Sequence, residues 1–121
     1  MQDRATAHIA ISIDDPGTLV SLSGRLAAST VADVRAVLTA AAEAGAGDLI
    51  VDLGGVERID ASGLGVLVGA HRVAMRRERR LVLRNVPPRI ERLLAATRLN
   101  RVLAVEPAPS LDREGQRTRG C

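Results

Sequence analysis

The chain has 121 residues, 46% of them hydrophobic, which suits one ordinary domain with a single α/β-type core. It lacks Phe, Tyr and Trp, so Leu, Val, Ile and Ala must fill that core, and single-stranded nucleic-acid binding by base stacking is disfavoured. The formal net charge is only +3. Every one of the 17 basic residues is arginine; arginine keeps its charge beyond about pH 12, so an alkaline isoelectric point reports arginine chemistry rather than a surface built for polyanions.

The one cysteine, Cys121, excludes an intramolecular disulfide and allows a reducing compartment. The N-terminal residues lack the basic stretch and apolar core of a secretory signal, and no apolar run approaches the roughly 20 residues of a membrane span. A soluble cytoplasmic protein without membrane attachment is expected.

In chain order, Ala7 to Ile13 alternates with Ile9, Ile11 and Ile13 on one face, and Thr18 to Leu22 repeats the pattern after the turn signal Asp14-Asp15-Pro16-Gly17. These predict a hairpin. Thr30 with Asp33 resembles a capping box, and Val31, Val34, Leu38 and Ala41 then mark a helical face ending near Gly45 and Gly47. Leu49 to Leu53 is an apolar run of strand length, after which Leu64, Leu67, Val68, His71 and Met75 recur at helical spacing. The run Met75 to Arg80 places cations at that helix's C-terminus, where the dipole favours them, and predicts a solvated end. Leu81 to Leu83 is strand-like, and Pro87-Pro88 opens a helix carrying Ile90, Leu93, Leu94 and Thr97. Arg101 to Val105 is a last short strand.

The pattern predicts a single α/β domain over residues 7–106, a mixed β-sheet of about five strands packed with three to four helices. Residues 107–121 are polar, with Leu111 the only large apolar side chain, and read as a disordered tail or a short helix.

The stretch from Asp48 to Met75 organises the rest, because it joins a buried strand to a buried helix through the polar turn Asp60-Ala61-Ser62-Gly63. Asp60 and Ser62 are both competent N-caps, and either would sit beside the unsatisfied N–H groups of the first helical turn. Gly65 and Gly69 lie one turn apart; each costs roughly 1 kcal/mol inside a helix, so they are expected to admit close packing of a neighbouring backbone.

Catalytic constellations fit poorly. Ser62 and His71 are nine residues apart on one helix, roughly 13 Å along its axis, and cannot hydrogen-bond. His8 lies in an edge-like strand, no metal-ligand spacing occurs, and a phosphate-binding loop is impossible without its lysine. No enzyme activity, cofactor or metal is expected.

From the strand before it to Val105, the segment around Asp60-Ala61-Ser62-Gly63-Leu64-Gly65-Val66-Leu67 resembles a STAS domain of the bacterial anti-sigma factor antagonist family. The likeness covers about Ile9 to Val105 and includes the asparagine–proline step before the third helix. It implies four helices on a mixed sheet, binding to an anti-sigma factor of the serine protein kinase type, and release of a sigma factor. It also implies a switch, in which phosphorylation of a serine at the start of the second helix abolishes binding.

The chain departs from the family pattern in several places. The usual phosphoacceptor directly follows the aspartate, and here that position is Ala61, leaving Ser62 as the candidate phosphorylation site. Ser62 is expected to serve as an N-cap with its hydroxyl held by its own helix, so that the domain binds constitutively without the usual switch; the alternative is a phosphorylated Ser62 that abolishes binding. Gly24-Arg25-Leu26-Ala27 replaces a stretch that is acidic in the family, and Arg98 stands where a left-handed glycine cap is usual. The expected partner-binding set is Asp60, Ala61, Ser62, Gly63, Leu64 and Arg25. Other readings are a regulatory or assembly subunit of another complex, such as a lipid-transport ATPase, or a structural paralogue that no longer switches.

Overall fold

The computed structural model describes residues 9–14 and 18–107. His8, the turn residues 15–17 and the tail from residue 108 lie outside them. The described elements are β1 (Ile9–Asp14), β2 (Leu19–Leu26), α1 (Val31–Ala44), β3 (Leu49–Ile59), α2 (Ala61–Arg76), β4 (Leu81–Val86), α3 (Pro88–Ala96), a 3-10 turn (Leu99–Arg101) and β5 (Ala104–Pro107). The last strand therefore starts later than Arg101 and takes in Pro107.

The five strands lie in the order β1-β2-β3-β4-β5. β1 and β2 form the expected antiparallel hairpin, and β2 through β5 are parallel. Each parallel step advances to the next position in the sheet. Right-handed crossovers then carry α1, α2 and α3 to one face. Burial agrees: Val20, Leu22 and Leu26 of β2, Leu49, Val51 and Leu53 of β3, and Leu81 and Leu83 of β4 share one apolar cluster with Leu38, Leu67 and Leu94 of the helices. The opposite face is mixed: Ser12, Ser21, Asp52 and Arg84 are aligned in register across β1 to β4, and beside them Leu19, Ile50 and Val82 form an apolar row. Ile9, Ile11 and Ile13 do share the core side of β1, but their cover fades along the edge strand, from 2% exposed at Ile9 to 47% at Ile13.

Four expectations need correction. In α2 the period is right but the phase is rotated: Leu64, Val66, Leu67, Ala70 and Ala74 are buried, His71 is only half-buried and Met75 is 59% exposed. Small alanines, invisible to a search for large apolar residues, complete the inward face. Gly65 and Gly69 are exposed, and a Cβ on either would meet nothing within 4 Å. Thr30 precedes α1 but makes no side-chain cap; its hydroxyl turns back to donate to the Arg25 carbonyl (2.8 Å) and accepts from the Ala27 N–H (3.1 Å). Finally, the basic run is not wholly solvated, because Arg79 is only 4% exposed.

Arg79 is buried by a chain reversal. Glu78 adopts φ 60°, and the N–H groups of Arg77, Glu78 and Arg79 close α2 on the carbonyls of Ala74 and Met75. The Arg79 guanidinium thereby reaches the C-terminal end of α1, donating to the Ala41 (2.8 Å), Ala42 (3.1 Å) and Gly47 (2.8 Å) carbonyls. Ala41 and Ala42 lie in the last turn of α1, whose carbonyls lack intrahelical partners, and a cation there complements the helix dipole; Gly47 lies in the loop that follows. Burial pushes the guanidinium pKa down, and Asp48 nearby opposes that. Arg98 sits in the left-handed region at φ 65°, as its position in place of the usual glycine implied.

Candidate functional site

The central turn is fixed by Asp60. Its backbone is extended (φ −117°, ψ −172°) and it is the N-cap of α2, with Oδ1 accepting from the Gly63 N–H at 3.0 Å. Oδ2 accepts from the Ala28 N–H at 3.3 Å, and the Asp60 N–H donates to the Leu26 carbonyl at 3.2 Å. One carboxylate thus ties the start of α2 to the loop between β2 and α1. Thr30 braces that same loop from inside, being 1% exposed.

Gly63 is where close approach is required. A Cβ there would run into the Leu26 carbonyl oxygen and lie 2.8 Å from Ile59 Cγ1, so only glycine lets the first turn of α2 settle on the ends of β2 and β3. Leu64 follows it into the core at 8% exposure. Of the expected contact residues, Gly63 and Leu64 are buried and set the height of the turn, while their neighbours Ala61 and Ser62 face solvent. Ser62 occupies the second helical position, and its hydroxyl makes no hydrogen bond among the described residues. The cap is Asp60, so the idea that Ser62 is locked as a cap fails.

Arg25 is exposed at the end of β2, beside this turn, and stands opposite Arg58 of β3. Arg58 was not singled out from the sequence, because only strand pairing places it next to Arg25. A second cluster also went unseen: Asn85, at φ 57°, donates from Nδ2 to Asp52 Oδ2 (2.8 Å), while Asp52 Oδ1 accepts from the Gly54 N–H (2.8 Å). The asparagine–proline step was legible, its left-handed asparagine was not. Ser62 and His71 both lie on α2, as expected, far apart along its axis. The imidazole Nδ1 of His71 is buried without a partner among the described residues, beside an open groove lined by Val68, Met75, Leu99 and Val102. The arrangement offers no nucleophile–base pair; it offers a short polar turn at a helix N-terminus, presented at the carboxyl ends of parallel strands.

Comparison with known proteins agrees with this architecture. Residues 9–105 match a family model described as Mlab, STAS domain. The chain is 33% identical over 86 residues to the anti-sigma-B factor antagonist of Staphylococcus aureus strain NCTC 8325 / PS 47, covering 71% of this chain and 80% of that protein. An anti-sigma factor antagonist from Mycobacterium paratuberculosis superposes with a TM-score of 0.67 at 22% identity, over 93% of this chain and 96% of that one. The antagonist SpoIIAA in its unphosphorylated form gives 0.62 at 21% identity, over 93% and 99%. The phosphorylated form of Bacillus SpoIIAA gives 0.62 at 19%, over 91% and 98%. At these identities the solved structures establish the fold.

Proposed function

Because the chain belongs to the STAS-domain family, we propose that it is an anti-sigma factor antagonist: it binds an anti-sigma factor of the serine protein kinase type and so frees a sigma factor for transcription. It acts in the cytoplasm by occupying its partner, not by catalysis, and touches no nucleic acid itself. The observation that carries this reading is the α2 N-terminal turn, where Ala61 and Ser62 are exposed while Asp60, Gly63 and Leu64 hold the backbone in place. A preformed turn loses little freedom on binding. The relatives named as anti-sigma-B factor antagonists favour this over a subunit of a transport complex.

The switch is assigned to Ser62. Its hydroxyl is exposed and unbonded, so a kinase need break no intramolecular contact to reach it. A phosphate adds about −1.5 to −2 charge at pH 7, next to the Asp60 carboxylate and in the middle of a surface that must be desolvated on binding. Binding is then lost. The test is to incubate the protein with a serine-kinase-type anti-sigma factor and ATP, weigh it intact, and titrate the partner calorimetrically. One added phosphate, absent in Ser62→Ala and accompanied by lost binding, is expected. Binding with no phosphate added would return the domain to the constitutive form, and no binding of the unphosphorylated protein would overturn the proposed function.

A further inference from the structure

Arg25 and Arg58 are Cα partners in the parallel pair β2–β3. Their successors Leu26 and Ile59, also paired, pack into the core, so alternation along each strand turns both arginines to the helix-free side. Both are exposed, and neither guanidinium makes an ion pair or hydrogen bond among the described residues. Like charges placed opposite each other across strands destabilise a sheet.

The register makes this arrangement less expected still. Gly24 pairs with Val56, so unbroken pairing would set Arg25 against Glu57, an attractive pair. A register shift between Gly24 and Arg25 leaves Glu57 over and brings Arg58 into its place. Bulges of this kind re-aim side chains next to functional sites. The Glu57 carboxylate makes no ion pair with either arginine, and the Glu57 carbonyl accepts from Arg89 Nη1 at 3.4 Å. The fold thus gives up a cross-strand ion pair and sets two arginines that make no ion pair at paired positions of neighbouring strands. Both are tied to the proposed contact surface: Arg58 lies two residues before Asp60, and Arg25 precedes the loop whose Ala28 N–H the Asp60 carboxylate holds.

We propose that Arg25 and Arg58 form a cationic clamp that receives carboxylates of an acidic surface on the partner protein, and that this pair selects the partner. The clamp rests on the function proposed above and adds the chemistry of the surface it fits. Two arginines on paired strand positions can each offer a guanidinium fork to a carboxylate, and a counter-charge supplied only in the complex relieves the like-charge pairing of the free domain.

The experiment measures association of the full chain with the serine-kinase-type anti-sigma factor across a salt series, for the wild type and for Arg25→Glu, Arg58→Glu and Arg25→Gln. Each reversal is expected to weaken affinity by about tenfold or more, mostly through slower association, and to flatten the salt dependence. Arg25→Gln should fall between, and reversal of the matching partner acid to arginine should rescue Arg25→Glu. Thermal unfolding controls for folding, and Arg58→Glu should melt no lower than wild type because it removes the like-charge contact. Wild-type binding that is insensitive to both reversals overturns the clamp and leaves the proposed function standing. Absence of wild-type binding overturns both. Tighter binding to double-stranded DNA or heparin than to the partner, lost in the same variants, would make the pair a polyanion site and overturn the clamp.

Discussion

Arg79→Met removes the buried cation while keeping an apolar stem of similar reach. The guanidinium donates to the Ala41, Ala42 and Gly47 carbonyls at 2.8 to 3.1 Å. A hydrogen bond to a charged group contributes roughly 1.5–3 kcal/mol net. Ala41 and Ala42 are 5% and 0% exposed, so water replaces the lost donors poorly. Against this stands the desolvation of the guanidinium itself, visible in its lowered pKa, which Met does not suffer. The balance is a loss of about 2–5 kcal/mol. With roughly 4 °C per kcal/mol for a domain of this size, melting should fall by on the order of 10–20 °C. Arg79→Lys should recover less than half, because one ammonium cannot span carbonyls on both α1 and the loop after it. The chain has no aromatic residue, so unfolding must be followed by far-UV circular dichroism in urea rather than by intrinsic fluorescence. A loss under about 1 kcal/mol for Arg79→Met, with an unchanged slope, would mean the α1 carbonyls are satisfied without it and the reasoning is wrong.

The glycines of α2 should respond in opposite directions. Gly63→Ala drives a Cβ into the Leu26 carbonyl and should cost about 1–3 kcal/mol or more, whereas Gly69→Ala enters open space and should gain about 0.4–1 kcal/mol; equal melts would refute the packing at Gly63. Arg98→Gly should stabilise by about 0.5–1 kcal/mol by relieving a left-handed residue, and a lower urea midpoint would show that the arginine side chain contributes more than its backbone costs. Asp60→Ala loses the N-cap, about 0.5–2 kcal/mol, together with the tie to Ala28, and partner affinity should fall with it. Affinity kept at wild-type strength, measured well below the melting temperature, would make Asp60 structural alone.

The fold was readable because its signals are local. The hairpin, Pro87-Pro88 at a helix start and the Asp60 turn each follow from neighbours in sequence, whereas the left-handed Arg98 was implied only by the family resemblance. What escaped was set by contacts between segments distant in sequence. Thr30 has the residue type and position of a cap, yet the buried β2–α1 loop needs its hydroxyl more than the solvated start of α1 does. Arg79 sits in a run of charges that any pattern reading sends to solvent, and only the reversal at Glu78 brings it under α1. Gly63 and Gly69 are identical letters whose difference lies in what stands opposite them. Arg58 gains its meaning from a register shift, which no periodicity encodes.

Around the turn, inward groups hold the fold, and the outward groups are those to which the proposed function assigns recognition. Asp60, Gly63, Leu64 and Thr30 spend their polar atoms or their volume on the chain itself, so substituting them alters the fold before it alters any surface. Ala61, Ser62, Arg25 and Arg58 make no side-chain bond within the described residues, so substituting them breaks no bond that holds the fold. Exposed substitutions away from caps and cores usually shift stability by no more than about 0.5 kcal/mol. The departures that the family resemblance implies at Ala61 and Arg25 thus fall on outward positions. On the proposed function, partner choice and the switch rest on outward side chains, while the Asp60 cap and the Gly63 contact keep the turn in one place.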